Sequence, residues 1–229
     1  MKNLAVVTAR SGSKGLVNKN IKLLNGKPLI AYTIDAAIKS KMFEEVFVST
    51  YSSEYADIAR KYGASVPFLR SMETASDISS SWDVVREALE KYEEIGKDFD
   101  TISLLQPTSP LRRAIDIIKG YELMIQKKAD AIVAVCETDY SPLWCNVLPE
   151  DLSMQEFISD GVLNKPRQEL PIYYRVNGSL YIVKTSALKG QFDLYSNRCY
   201  AYIMDRKYSI DIDEELDFQI AELIMQSLE

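Results

Sequence analysis

Apolar residues along this chain gather into short runs separated by longer amphipathic stretches, and the two spacings predict different elements. Leu4, Ala5, Val6 and Val7 form a continuous run of the kind that fills a strand buried on both faces. Comparable runs recur at Glu45 to Thr50, Thr101 to Leu105, Ala131 to Cys136 and Gly178 to Lys184, with shorter ones at Val66 to Leu69 and Ala201 to Met204. Between them the period changes. Leu29, Ile30, Ile34, Ala37 and Ile38 share one face of a helix predicted from Pro28, at its first position, to Ser40. Further helices are predicted over Tyr55 to Tyr62, Trp82 to Ile95, Ala114 to Lys127 and Glu214 to Leu228, the first of them closed by Gly63. Strands alternating with helices at this spacing predict an α/β domain with a mainly parallel sheet covered on both faces and right-handed crossovers.

The alternation lapses between Glu137 and Arg175. Pro142, Pro149, Pro166 and Pro171 break that stretch into short pieces, yet Trp144, Leu148, Phe157, Tyr173 and Tyr174 give it apolar area that a loop does not bury alone. An inserted subdomain at about 137–175, buried against a partner subunit in a homodimer, is the expectation; the alternative is that it folds back on its own domain. Apart from this insertion, 229 residues suit a single domain.

Composition narrows the chemistry. A net charge of −6 disfavours a general nucleic-acid binder. The N-terminal apolar run is too short for a signal-peptide core and no later run approaches a membrane span, so a cytoplasmic protein without membrane contact is expected. Three cysteines, Cys136, Cys145 and Cys199, lie in no metal-like spacing and are read as free thiols. There is no histidine. Chemistry here must therefore run on cations, carboxylates and a metal.

The first strand opens into Thr8 to Asn20, a loop rich in glycine and serine that carries Arg10, Lys14 and Lys19. Ligands of open α/β sheets sit beyond the carboxyl ends of the strands. Small residues there let backbone N–H groups approach an oxyanion, so the loop suits a triphosphate, although it is neither a Walker loop nor GxGxxG. Near the other end, Asp211 and Asp213 in SIDID are two residues apart, which in extended chain puts both carboxylates on one face about 7 Å apart. Two hard oxygen ligands suit Mg²⁺ (or Mn²⁺) bound with a triphosphate, while the plainer reading is a cap for the helix that follows.

Several stretches together resemble one family. ARSGSKGLVNKN, the ASD and SSS residues after Arg70, QPTSPLR at Gln106 to Arg112, PRQELP at Pro166 to Pro171, YRVNGSLY at Tyr174 to Tyr181 and SIDIDEELD from Ser209 occur in the order found in the CMP-N-acylneuraminate cytidylyltransferases. The resemblance runs from Leu4 to about Leu223 and implies a Rossmann-like nucleotide-diphospho-sugar transferase fold that moves CMP from CTP to an acidic nine-carbon sugar. N-acetylneuraminic acid is the first expected acceptor, followed by legionaminic and pseudaminic acids, with an eight-carbon ulosonic acid behind them.

The same resemblance assigns roles. Arg10, Lys14 and Lys19 would neutralise the triphosphate, and Asp211 and Asp213 would hold the metal. Thr8, Ala9, Arg10, Asn20, Arg70 and Ser81 would bind the nucleotide, the backbone near Thr8 and Ala9 forming the floor under the base. Gln106, Arg167, Gln168, Arg175, Asn177 and Tyr181 would meet the sugar. The chain departs from the family pattern at Tyr51, where an aspartate is usual, and at Trp144, which follows Pro142-Leu143 where the family often has a lysine after His-Pro-Leu. Two other classes remain open: a UTP- or GTP-dependent sugar nucleotidyltransferase, and a non-catalytic nucleotide-binding relative.

Overall fold

The computed structural model describes residues 1–12, 15–75, 79–188, 190, 192–196 and 198–228. Among the described residues, eight strands and five α-helices follow one another in the order β1 (Asn3–Thr8), β2 (Leu23–Leu24), β3 (Lys27–Pro28), α1 (Leu29–Ser40), β4 (Glu45–Ser49), α2 (Ser53–Lys61), α3 (Ser81–Glu94), β5 (Thr101–Leu105), α4 (Ala114–Lys127), β6 (Ala131–Glu137), β7 (Tyr174–Lys184), β8 (Cys199–Ile203) and α5 (Glu215–Gln226). Six strands form one sheet in the order β4-β1-β5-β7-β6-β8. β7 pairs antiparallel with both neighbours, and the other three pairings are parallel, so the sheet is mainly parallel as expected.

Side-chain alternation along β1 sorts the core. Ala5 and Val7 face a cluster with Ile30, Ile34 and Ala37 of α1, Tyr55 and Ala59 of α2 and Ile117 and Tyr121 of α4. Leu4 and Val6 face the other side, where Val85, Ala88 and Tyr92 of α3 cover the sheet. Phe47 sits there between Phe68 and Tyr92, with ring centroids 4.9 and 5.5 Å away. A third, smaller cluster joins Phe218 and Ala221 of α5 to Leu24, Leu29 and Ile212, which docks the C-terminal helix beside the hairpin of β2 and β3.

Three sequence expectations are corrected. Val66 to Leu69 is not a strand; only Ser65 makes an isolated parallel bridge, to Phe47, because Pro67 has no N–H to give and the Arg70 N–H turns instead to the Thr50 carbonyl. β7 begins at Tyr174 rather than Gly178, its first residues pairing with the end of β6. Asp211 and Asp213 follow a 3-10 turn at Arg206–Tyr208 and lie in a connection outside the strands, Asp211 half-buried and Asp213 exposed.

The stretch between β6 and β7 contains only the 3-10 turns Pro142–Trp144 and Arg167–Glu169. Val147, Leu148, Leu152, Met154, Leu163 and Ile172 are exposed along it. No helix among the described residues is long and apolar enough to cross a membrane.

Candidate active site

β1 and β5 are neighbours, but the chain leaves β1 toward β4 on one side and returns to β5 on the other. The carboxyl ends of these two strands therefore form a switch point, where loops diverge and leave a crevice. A cavity of about 570 Å³ opens there. Thr8 and Arg10 line it from the end of β1, and Gln106, Pro107 and Thr108 from the end of β5. Ser79, Ser81 and Val84 bring the N-terminus of α3 to the same space, adding the positive end of a helix dipole. Arg70, Lys19, Asn20, Asp211 and Asp213 complete the wall. Lys14 lies outside the described residues.

Several of these side chains are held by the fold. Asn20 donates its amide to the Arg10 carbonyl at 3.0 Å and so closes the loop on itself. Lys19 is buried; its Nζ reaches the Ile212 carbonyl at 2.5 Å and Asp213 Oδ1 at 3.0 Å. Across the same gap, a Cβ on Gly15 would stand 2.8 Å from the Asp213 carbonyl oxygen, so a glycine is required for the loop to lie against the SIDID segment. Arg70 donates to Ser49 Oγ at 3.0 Å and to the Ser49 carbonyl at 2.7 Å. Burial lowers its pKa to about 10, which leaves the guanidinium charged at neutral pH.

Among the described residues that line the cavity, Asp211 alone has a buried side-chain oxygen without a hydrogen-bond partner. Burial pushes its pKa up, with Thr108 donating to the carboxylate and Lys19 and Arg175 opposing the shift. Its Oδ1 is buried and has no hydrogen-bond partner. An orphaned buried carboxylate oxygen is costly unless something binds it, and a hard cation is the natural occupant. No cluster of three metal-ligating side chains exists among the described residues. Any cation here would take ligand oxygens from a bound phosphate and water, which is how Mg²⁺ is commonly held.

A second cavity of about 470 Å³ adjoins the first and shares Ser81 and Gln106 with it. Its other walls are Trp82, Leu104, Tyr181, Phe192, Asp193, Leu194 and Tyr195. Tyr181 has a pKa raised to about 12, chiefly by burial, and is neutral at physiological pH. One cavity is thus polar, with cations and carboxylates both on its wall, while the other sets aromatic and apolar side chains beside Ser81, Gln106 and Asp193.

Not every residue singled out from sequence reaches these cavities. Ala9 is buried, and its N–H is spent on the Ser49 carbonyl at 2.9 Å rather than on a base. Asn177 is buried with its amide donating to Ser209 Oγ at 3.0 Å and accepting from the Ser179 N–H at 3.1 Å, so the structure gives it a role within the fold. Arg175 donates to the Ser209 carbonyl at 3.3 Å from outside both cavities. Arg167 and Gln168 are exposed on the arm, with Arg167 donating to the Asp139 carbonyl at 3.3 Å. Thr74, Thr108 and Glu214 line the first cavity although the sequence assigned them no role; Thr108 belongs to QPTSPLR and Glu214 to SIDIDEELD, and Thr74 opens the stretch that holds the ASD and SSS residues.

The sequence profile of a family described as cytidylyltransferase matches residues 4–226. The chain belongs to the cytidylyltransferase family. A CMP-N,N'-diacetyllegionaminic acid synthase of Legionella pneumophila is 39% identical over 99% of this chain and 97% of its own length. An N-acylneuraminate cytidylyltransferase of Escherichia coli is 37% identical over 98% of this chain, which spans 52% of that longer protein. Among solved structures, a CMP:2-keto-3-deoxy-manno-octonic acid synthetase complexed with CTP superposes with a TM-score of 0.73 over the full length of both chains at 15% identity, a likeness of fold. For a cytidylyltransferase, two adjoining cavities at the switch point are a fitting arrangement. The resemblance that the ordered motifs suggested is a true family relationship.

Proposed function

We propose that this cytidylyltransferase transfers CMP from CTP to the anomeric hydroxyl of an acidic nine-carbon sugar and releases pyrophosphate. The observation that carries the reading is the pair of joined cavities. The first has Arg10, Lys19 and Arg70 for a triphosphate, the second has room and apolar walls for an acylated sugar, and Gln106 and Ser81 stand at their junction. The acceptor oxygen forms a bond to the α-phosphorus while the bond to the β-phosphate's bridging oxygen breaks, and the hydroxyl proton is lost to solvent or a nearby base. Such transfers depend on alignment and on neutralising charge that moves onto the leaving group.

Arg10 and Arg70 act on the triphosphate as fixed cations, and the N-terminus of α3 adds its dipole. Lys14 is assigned the same role from its place in the loop. Lys19 both lines the cavity and holds Asp213 in place. Asp211 and Asp213 would hold Mg²⁺, or Mn²⁺, which when bound shields the phosphate oxygens. Gln106 and Tyr181 face the sugar as hydrogen-bonding groups.

N-acetylneuraminic acid is the first acceptor we propose. A second reading, a di-N-acylated acid such as legionaminic acid, is favoured by the walls of Trp82, Phe192 and Leu194, which suit acyl methyl groups better than free hydroxyls. The exposed apolar arm supports a homodimer in which Arg167 of the partner subunit completes the sugar side, since within one chain Arg167 reaches neither cavity.

The test is pyrophosphate release with CTP and Mg²⁺ against N-acetylneuraminic, legionaminic, pseudaminic and eight-carbon ulosonic acids, repeated with UTP and GTP. Release with CTP and a nine-carbon acid is expected. Binding of CTP without release from any acid would instead support a non-catalytic relative, and preference for UTP or GTP would support a different nucleotidyltransferase.

A further inference from the structure

β7 does not run straight past the site. Val176 pairs with Val135 and Tyr181 with Val133, so Asn177, Gly178, Ser179 and Leu180 stand opposite Ala134 alone. On its other edge the last pair of β7 with β5 is Tyr181 with Leu104, which leaves the irregular stretch beside Leu105 and Gln106. Bulges of this kind re-aim the chain and gather beside active sites.

The bulge touches both halves of the site. Gly178 has φ +71°, and a Cβ there would lie 2.2 Å from Gln106 Oε1 and 3.6 Å from Asp211 Oδ2. Gln106 Oε1 and Asp211 Oδ2 therefore both border the one face of the backbone that has no side chain. Asn177 fixes the rest. Its amide donates to Ser209 Oγ, two residues before Asp211, and its carbonyl accepts from Ser109 Oγ at 3.5 Å, three residues after Gln106.

We propose that Gly178 is a positioning residue for transfer: its missing side chain sets Gln106, at the border of the sugar cavity, against Asp211 in the nucleotide cavity. The inference rests on the function proposed above and assigns to it a residue that touches neither phosphate nor sugar. A side chain at Gly178 would displace Gln106 by about the ångström that costs on the order of 100-fold in turnover. CTP binding would change little, because the added Cβ would stand at ordinary van der Waals distance from Asp211 and clash only with Gln106.

The experiment compares Gly178→Ala with Gln106→Ala, with the double variant and with Gly96→Ala. Gly96 also has a positive φ, +75°, but nothing within 4 Å of its Cβ position, so it reports the backbone cost alone. Turnover is read by pyrophosphate release, CTP affinity by calorimetry without acceptor, and stability by thermal unfolding. Gly178→Ala is expected to lose about 100-fold in kcat with CTP affinity within roughly threefold of wild type. Both Gly variants should unfold at similarly lowered temperatures, and Gly96→Ala should keep its turnover. Because the effect passes through Gln106, the double variant should be no slower than Gln106→Ala.

Three results would overturn the proposal: unimpaired turnover in Gly178→Ala, a loss confined to CTP affinity, or losses that multiply in the double variant. A wild type silent across the acceptor panel would remove the functional reading and this inference together. An active wild type with an unimpaired Gly178→Ala would remove the inference alone.

Discussion

Lys19 Nζ lies 3.0 Å from Asp213 Oδ1, joining the loop after the first strand to a segment 194 residues later. The same ammonium donates to the Ile212 carbonyl, so a single buried cation ties the N-terminal loop to the carboxylates at the far end of the chain.

Removing that cation should cost both stability and activity. For Lys19→Met, loss of hydrogen bonds to a charged group predicts about 1.5–3 kcal/mol of destabilisation. Turnover with CTP should fall by roughly two orders of magnitude, the scale seen when an electrostatic stabiliser is removed. Lys14→Ala should differ, lowering turnover far more than it lowers the melting temperature. Thermal unfolding and steady-state kinetics on the two variants check the contrast; equal activity in Lys14→Ala would sink its assignment.

Glu87 supplies a pH dependence. It accepts from the Ser71 N–H at 2.7 Å and from the Thr74 hydroxyl, holding the turn that brings Thr74 to the cavity. Burial raises its pKa, but hydrogen bonds from Lys91, Thr74 and Ser71 outweigh that and leave it below its ordinary 4.5. With the folded value depressed, its stabilisation is present above pH 4.5 and lost as pH falls through the folded value. Glu87→Gln should flatten the acid limb of a melting temperature against pH profile and weaken CTP binding severalfold at pH 7. An unchanged acid limb would argue against this linkage.

Arg112 is fully buried, and burial lowers its pKa to about 9. Its guanidinium donates to the carbonyls of Ser179 at 2.5 Å and Gln106 at 3.3 Å and to Thr33 Oγ1 at 2.6 Å, linking β7, the end of β5 and α1. Arg112→Met should destabilise by about 3 kcal/mol, since it strands those acceptors. At about 2–4 °C per kcal/mol for a chain of this size, calorimetry should show a drop near 10 °C.

The arm predicts assembly. Sedimentation should give a dimer at micromolar concentration, and Leu148→Asp combined with Ile172→Asp should shift it to monomer with CTP binding retained and transfer lost. Arg167→Ala should stay dimeric and raise the KM for the acid sugar about tenfold or more, as loss of a charge-assisted contact does. A fully active monomer would reject the shared site.

What the sequence alone determined is the local and ordered part of this protein. Apolar runs and helical periods located β1, β4, β5, β6 and all five helices, α4 to the residue, because buried strands and amphipathic helices write their period directly into the chain. The ordered motifs identified the family. Where expectation and structure parted, the cause was a partner distant in sequence. Pro67 removed a strand by withholding an N–H, and β7 lengthened because β6 offered a partner. The Asn177 amide is held by Ser209 and Ser179, an arrangement its motif does not announce. The junction itself, with Gln106 and Asp211 both bordering Gly178 and Lys19 reaching Asp213, was decided only by the tertiary structure. Residues 33 to 194 positions apart become neighbours there through sheet order and one bulge, and no local pattern encodes that distance.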